Sequence, residues 1–212
     1  MIRLIRDGYF LAVSLNHFAV DLLNSQLGIL VVFLAPVLGL ANSDIGLIVL
    51  IYTSVGSLTQ PIFGWLADRY STRWLSGVSL IWIALWISIA VSTNIQWSIP
   101  LLIVSTLGSA GFHAAGTERA TERGSIIMLG RAATAASLFF LFGLSGHAIG
   151  PALGGFIIER VGIRGVLMLT VLALPVAFNS IYRLFWSPDH QRLDSNAVSY
   201  THLRAHETDS YL

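Results

Sequence analysis

Gly64-Trp65-Leu66-Ala67-Asp68-Arg69-Tyr70-Ser71-Thr72-Arg73 is a short charged knot between two long apolar runs, Asp44 to Leu66 before it and Trp74 to Val91 after it. Each run approaches the ~20 residues that an α-helix needs to cross the hydrocarbon core of a bilayer. A connection this short cannot return across a membrane, so the two runs read as adjacent, antiparallel spans joined on one side. Short, basic loops stay in the cytoplasm, and Arg69 and Arg73 place this one there.

The rest of the chain is equally suited to lipid. Of its 212 residues, 55% are hydrophobic and 11% charged, against about 25% charged in a soluble domain. Mean hydropathy is +0.73. Twelve basic residues nearly balance eleven acidic ones, which argues against a nucleic-acid partner. Without cysteine there is no disulfide and no thiolate metal site. Arg3 and Arg6 followed by apolar residues imitate a secretory signal. Asn16 and His17 interrupt that stretch and apolar sequence resumes to Pro36, so it reads as a retained first span.

Hydropathy and turn signals give an all-α membrane protein with six spans, near 9–37, 44–66, 74–93, 98–117, 127–158 and 163–185. Ser43 is the expected N-cap of the second span, with Asp44 in its first turn. Pro100 is expected in the first turn of the fourth, where its missing N–H does least harm. Glu118 to Gly124 reads as a charged loop between the fourth and fifth spans. With an inside start, Arg3, Arg6, Arg69, Arg73, Arg119, Arg123, Arg131, Arg183 and Arg192 fall on the cytoplasmic side, and only Arg160 and Arg164 fall outside. The expectation is a multi-pass protein of a bacterial inner membrane with both termini in the cytoplasm.

Titratable residues within spans are candidates for function, because each must be paired or face water. His17, Asp21 and Asn24 recur at helical spacing on one face of the first span. His17 lies about 12 Å along it and Asp21 about 18 Å, at 1.5 Å per residue. The fourth span runs the other way and carries His113, with Glu118 beyond it, so His17 and His113 reach similar depths. These five residues are the candidates for proton coupling and for lining a substrate cavity. Two readings of His17 and Asp21 stay open: a group that loads and unloads protons, or a fixed pair that clamps a helix to its neighbour.

In the fifth span, Gly146, Gly150 and Gly154 recur every four residues and make a groove into which another helix can press backbone to backbone. Gly155 extends the run, and Pro151 should bend the helix. Gly77, outside any such repeat, serves as the comparison position. His147 either faces the cavity or packs as a neutral histidine.

Two of these motifs resemble a known family. Gly64-x-Leu66-Ala67-Asp68-Arg69-x-x-x-Arg73 is similar to the loop between the second and third helices of major facilitator superfamily transporters, with Ser71 and Thr72 where the family usually has glycine and a basic residue. Gly146-x-x-x-Gly150-Pro151-x-x-Gly154-Gly155 is similar to the fifth-helix signature of that superfamily's drug/proton antiporters. His17-Phe18, Asp21 and Phe112-His113 resemble the fosmidomycin-resistance branch, although Ala114 stands where that branch has proline and the first following acid is Glu118.

The resemblance implies one half of a twelve-helix transporter, six helices arranged as two inverted three-helix repeats. It also implies proton-coupled efflux of a small drug-like or anionic compound, no covalent chemistry, and a glycine helix that seals against leak. Its partners would be the substrate, protons, lipid, and a second six-helix half or a second copy. The bundle is expected over 1–194. Residues 195–212 lose all span character and read as a foreign tail, like translated adapter sequence, in place of a continuing transporter; a natural polar tail is the alternative. His202 and His206 are then not ligands. A natural half-size homodimer remains a rival. An intramembrane metalloenzyme on His17, Asp21 and His113 would need three ligands about 2.0–2.2 Å from one Zn²⁺. No His-Glu-x-x-His helix favours it, so neither metal nor cofactor is expected.

Overall fold

In the computed structural model, residues 2–69 and 74–186 are described, and they are almost entirely helical. A short α1 (Ile2–Arg6) leads into α2 (Gly8–Asn24) and α3 (Gln26–Leu38). Then come α4 (Asn42–Arg69), α5 (Leu75–Ser92), α6 (Ile95–Ile127), α7 (Ala132–Val161), a 3₁₀ turn (Ile163–Val166) and α8 (Leu167–Phe185). Six segments are long and apolar enough to cross a membrane, with α2 and α3 forming one of them together. Arg73 and residues 187–212 of the polar tail lie outside the described residues.

The six segments pair in a repeating pattern. α2 packs on α7 as α4 packs on α6, and α5 packs on α6 as α2 packs on α8. α2 also meets α6, and α5 meets α8. Exchanging the first three spans for the last three maps these contacts onto one another, as two inverted three-helix repeats require. α4 and α7 are the least buried of the six.

Several boundaries differ from the sequence reading, each for a physical reason. The first span is not one helix: it breaks at Ser25. Ser25 Oγ donates to Leu22 O at 2.9 Å and the Gln26 side-chain amide to the same carbonyl at 2.8 Å. These side chains compete with the helical ladder at that carbonyl. The segment Glu118–Gly124 is not a loop but the continuation of α6, which runs for 33 residues. A helix of that length spans about 50 Å, so its charged end passes beyond a ~30 Å hydrocarbon core. Helix α6 also starts at Ile95, ahead of the expected 98, so Pro100 sits in its second turn rather than its first. Helix α4 starts at Asn42, ahead of Ser43, and Asp44 Oδ2 accepts from the Ala41 N–H at 2.8 Å.

One end of the bundle is tied together by charge. Asp7 caps α2, its Oδ1 accepting from the Phe10 N–H at 2.8 Å, and also holds Arg123 of α6 at 2.6 Å. Burial pushes the Asp7 carboxyl up, but the Arg123 hydrogen bond, the Phe10 N–H and the Arg123 charge together outweigh it and hold the group below the ordinary carboxylate range. The Arg183 guanidinium of α8 lies over Gly8 at this same end.

Candidate functional site

Within the bundle, α2 and α6 bring three titratable side chains into contact. His17 and Asp21 are one turn apart on α2 and meet at 3.2 Å, Nε2 to Oδ2. His113 of α6 approaches with its Nε2 3.4 Å from Asp21 Oδ1 and 3.3 Å from His17 Nε2. The His17 ring is buried, stacked on Phe139 at 4.1 Å between centroids and flanked by Phe112 at 5.3 Å.

The far side of each imidazole fixes its tautomer. His17 Nδ1 donates to the Phe139 carbonyl at 3.0 Å, and His113 Nδ1 donates to the Ser109 carbonyl at 2.8 Å. A carbonyl oxygen only accepts, so both Nδ1 atoms carry hydrogen. In the neutral rings both Nε2 atoms are then acceptors, and they converge with the Asp21 carboxylate, itself acceptor-only when ionised. Three lone-pair donors pointed at one another in a buried place repel unless something positive lies between them.

The group opens onto a cavity of about 310 Å³. Asp21 and Asn24 line it from α2, Tyr52 and Gln60 from α4, Thr106 and His113 from α6, and His147 from α7. The Tyr52 hydroxyl donates to the Asn24 side-chain oxygen and, at 3.1 Å, to its backbone carbonyl. α5 and α8 contribute nothing to the lining; they pack behind it. Among the described residues the wall carries hydroxyls, amides, imidazoles and the Asp21 carboxylate, with no arginine.

His17, Asp21, Asn24 and His113 are thus brought together, and His147 joins them in the cavity wall. Glu118 is not part of the cavity lining: it lies exposed on α6, five residues and about 7.5 Å beyond His113. The sequence reading placed Glu118 just beyond His113 at the cavity, and the continuous helix α6 carries it away from the lining. Gly64, Asp68 and Arg69 lie at the end of α4, where Arg69 stacks over Trp65 and a Cβ on Gly64 would meet nothing within 4 Å.

The glycine helix already has its partner in this chain. A Cβ on Gly146 would stand 2.9 Å from the Phe18 carbonyl carbon, and one on Gly150 2.6 Å from Leu22 O. One on Gly154 would stand 3.0 Å from the Gln26 side chain, whose amide donates to Gly150 O at 2.9 Å. Gly155 faces elsewhere, with only ordinary contact to Ile29. Gly77 is no neutral comparison, because a Cβ there would lie 2.8 Å from Ala177 O on α8.

One site residue escaped the sequence reading. Gly143 precedes Gly146 by three and continues the same stripe toward the triad. A Cβ on it would press into the His17 ring and stand 2.7 Å from Asp21 Oδ2. The stripe was the available signal, but nothing local showed that its far end faced a histidine.

The fold and the cavity define a polytopic membrane protein with a polar, titratable pocket lined by four of its six spans. Residues 9–205 match the family model of the Major Facilitator Superfamily, and the chain belongs to that family. It is 26% identical over 164 residues to the "Fosmidomycin resistance protein" of Escherichia coli (strain K12), a match covering 77% of this chain and 39% of that protein. It is 29% identical over 119 residues to the "MFS-type efflux transporter pyiT" of Pyricularia grisea, covering 53% of this chain and 18% of that protein. The chain therefore spans well under half the length of either relative. No solved structure matches it.

Proposed function

We propose that this chain is part of a secondary transporter that exports a small drug-like or anionic compound in exchange for protons, by alternating access. The observation that carries the reading is the convergence of His17 Nε2, His113 Nε2 and the Asp21 carboxylate beside the cavity. A proton shared among them neutralises the carboxylate and relieves part of the repulsion among the facing lone pairs. Substrate entering beside Asp21, Asn24 and Tyr52 competes for the same groups, which links proton release to substrate loading.

The efflux direction draws on the names of the two relatives, and the glycine helix α7 supports it as the seal. The cytoplasmic face is the end holding Arg123, Arg183 and α1, by the placement of arginines, and the membrane is a bacterial inner membrane. A second six-helix bundle, in the same polypeptide or as a second copy, closes the cavity across the least buried helices, α4 and α7.

Everted membrane vesicles test this, with fosmidomycin as the first compound because one relative's name carries it. Addition of the compound should dissipate an imposed pH gradient, and Asp21→Asn should abolish that response while the protein stays inserted. Normal coupling in Asp21→Asn would reject the assignment.

A further inference from the structure

We propose that His17, Asp21 and His113 also form a binding site for one divalent transition-metal ion of the Zn²⁺ or Co²⁺ type. The inference rests on the spacing of the donor atoms and is independent of the proton-coupling reading.

The three edges of the group measure 3.2, 3.3 and 3.4 Å. Zn²⁺ binds imidazole nitrogen and carboxylate oxygen at about 2.0–2.2 Å, and in a tetrahedral site this sets neighbouring ligands about 3.3–3.6 Å apart. Each Nε2 therefore lies at about that spacing from the other and from one carboxylate oxygen, and with one ligand atom taken from each residue all three lie within 4.8 Å of one another. Asp21 straddles the histidines, with Oδ2 toward His17 and Oδ1 toward His113, so an ion can take either oxygen.

One proton cannot satisfy this arrangement. Placed on His113 Nε2, it leaves the His17–Asp21 edge as lone pair against lone pair; placed on His17 Nε2, it leaves the His113–Asp21 edge; placed on the carboxylate, it leaves the edge between the histidines. A cation between the two Nε2 atoms and the carboxylate attracts all of these lone pairs at once.

The surroundings add what a metal site needs. Both Nδ1–H groups are held by backbone carbonyls, at 3.0 and 2.8 Å, which fixes Nε2 as the ligating atom and orients each ring. The fourth side opens on the polar cavity, where water can complete the coordination. Two imidazoles and one carboxylate suit Zn²⁺ and Co²⁺, whereas Mg²⁺ and Ca²⁺ prefer all-oxygen sites. An ion bound here would join α2 to α6 and fill the corner of the cavity nearest Asp21.

The test uses the full chain, purified in mild detergent without a polyhistidine tag. His190, His202 and His206, in the tail outside the described residues, are replaced by alanine in every sample. Co²⁺ serves as the optical probe and Zn²⁺ as the competitor. The proposal expects one equivalent of Co²⁺ with the strong visible absorption of a four-coordinate ion, displaced by one equivalent of Zn²⁺. His113→Gln and His17→Gln should each weaken binding by more than about 100-fold, beyond the 10–100-fold that outer-shell changes cost. Glu118→Gln should leave it unchanged. His113 is the more accessible of the two histidines, so its variant keeps the test informative if His17→Gln fails to fold, as judged by circular dichroism and gel filtration. Absence of stoichiometric Co²⁺ uptake, or unaltered uptake in folded His113→Gln, would overturn the metal site. Either result leaves the vesicle assay of proton coupling to be read by itself.

Discussion

Gly143→Ala adds a single methyl group at the point where α7 passes the triad. That methyl would stand 2.7 Å from Asp21 Oδ2 and closer still to the His17 ring. Comfortable carbon contacts begin near 3.5 Å, so the carboxylate must retreat by about 0.8 Å and the ring by more. The ring has nowhere to go, being stacked on Phe139 at 4.1 Å and tethered to its carbonyl at 3.0 Å. Overpacking a rigid site costs about 1–3 kcal/mol, and a locked neighbour puts this one near the top. Exchange of glycine for alanine within a helix returns up to about 1 kcal/mol of propensity, leaving a net loss of about 2 kcal/mol. At about 2–4 °C per kcal/mol for a chain of this size, Tm in detergent should fall by about 4–8 °C. The His17–Asp21 contact should open beyond hydrogen-bond reach, and substrate-driven proton movement in vesicles should be lost with it. Gly28→Ala is the matched control, because a Cβ there meets nothing within 4 Å and only the propensity gain remains. Equal melting and equal coupling in the two variants would refute the claim that Gly143 is a glycine because of the triad.

Gly150→Ala should likewise lower Tm relative to Gly28→Ala, since its Cβ would stand 2.6 Å from Leu22 O, and it should raise passive proton leak through vesicles; a leak equal to wild type would deny the groove any sealing role. Asp7→Ala should cost about 1–2 kcal/mol, combining a lost N-cap with a lost ion pair, whereas Asp7→Asn keeps a capping oxygen and should cost less in thermal melts. Because the folded Asp7 carboxyl lies below its ordinary value of 3.8, its contribution is fully present above about pH 4 and fades as pH falls through the lowered value. Melting curves of wild type and Asp7→Ala should therefore converge in acid, and a constant gap down to pH 2 would contradict that.

Much was fixed by the chain before any packing. Six apolar runs of membrane length, separated by short polar turns, admit little besides six helices, because lipid forces every backbone group to pair within its own segment. Hairpin sense followed from the brevity of the Asp68–Arg73 connection, and the family motifs are contiguous in sequence. The 3.6-residue period alone put His17, Asp21 and Asn24 on one face.

Lateral neighbours are a different matter, since hydropathy says that a helix crosses but not which helix it touches. The approach of His113 to His17, 96 residues away, depends on α2 and α6 lying side by side. The glycine stripe of α7 announced a close crossing without naming α2 as the partner, and Gly77 gave no local sign of its crossing with α8. The charged Glu118–Gly124 segment was composed like a loop, yet a helix packed against its neighbours and held by Asp7 and Arg123 satisfies its backbone equally well. Composition thus determined the crossings and their faces. Only the tertiary packing decided which faces meet, and with that it assembled two histidines and a carboxylate from separate helices into one buried site.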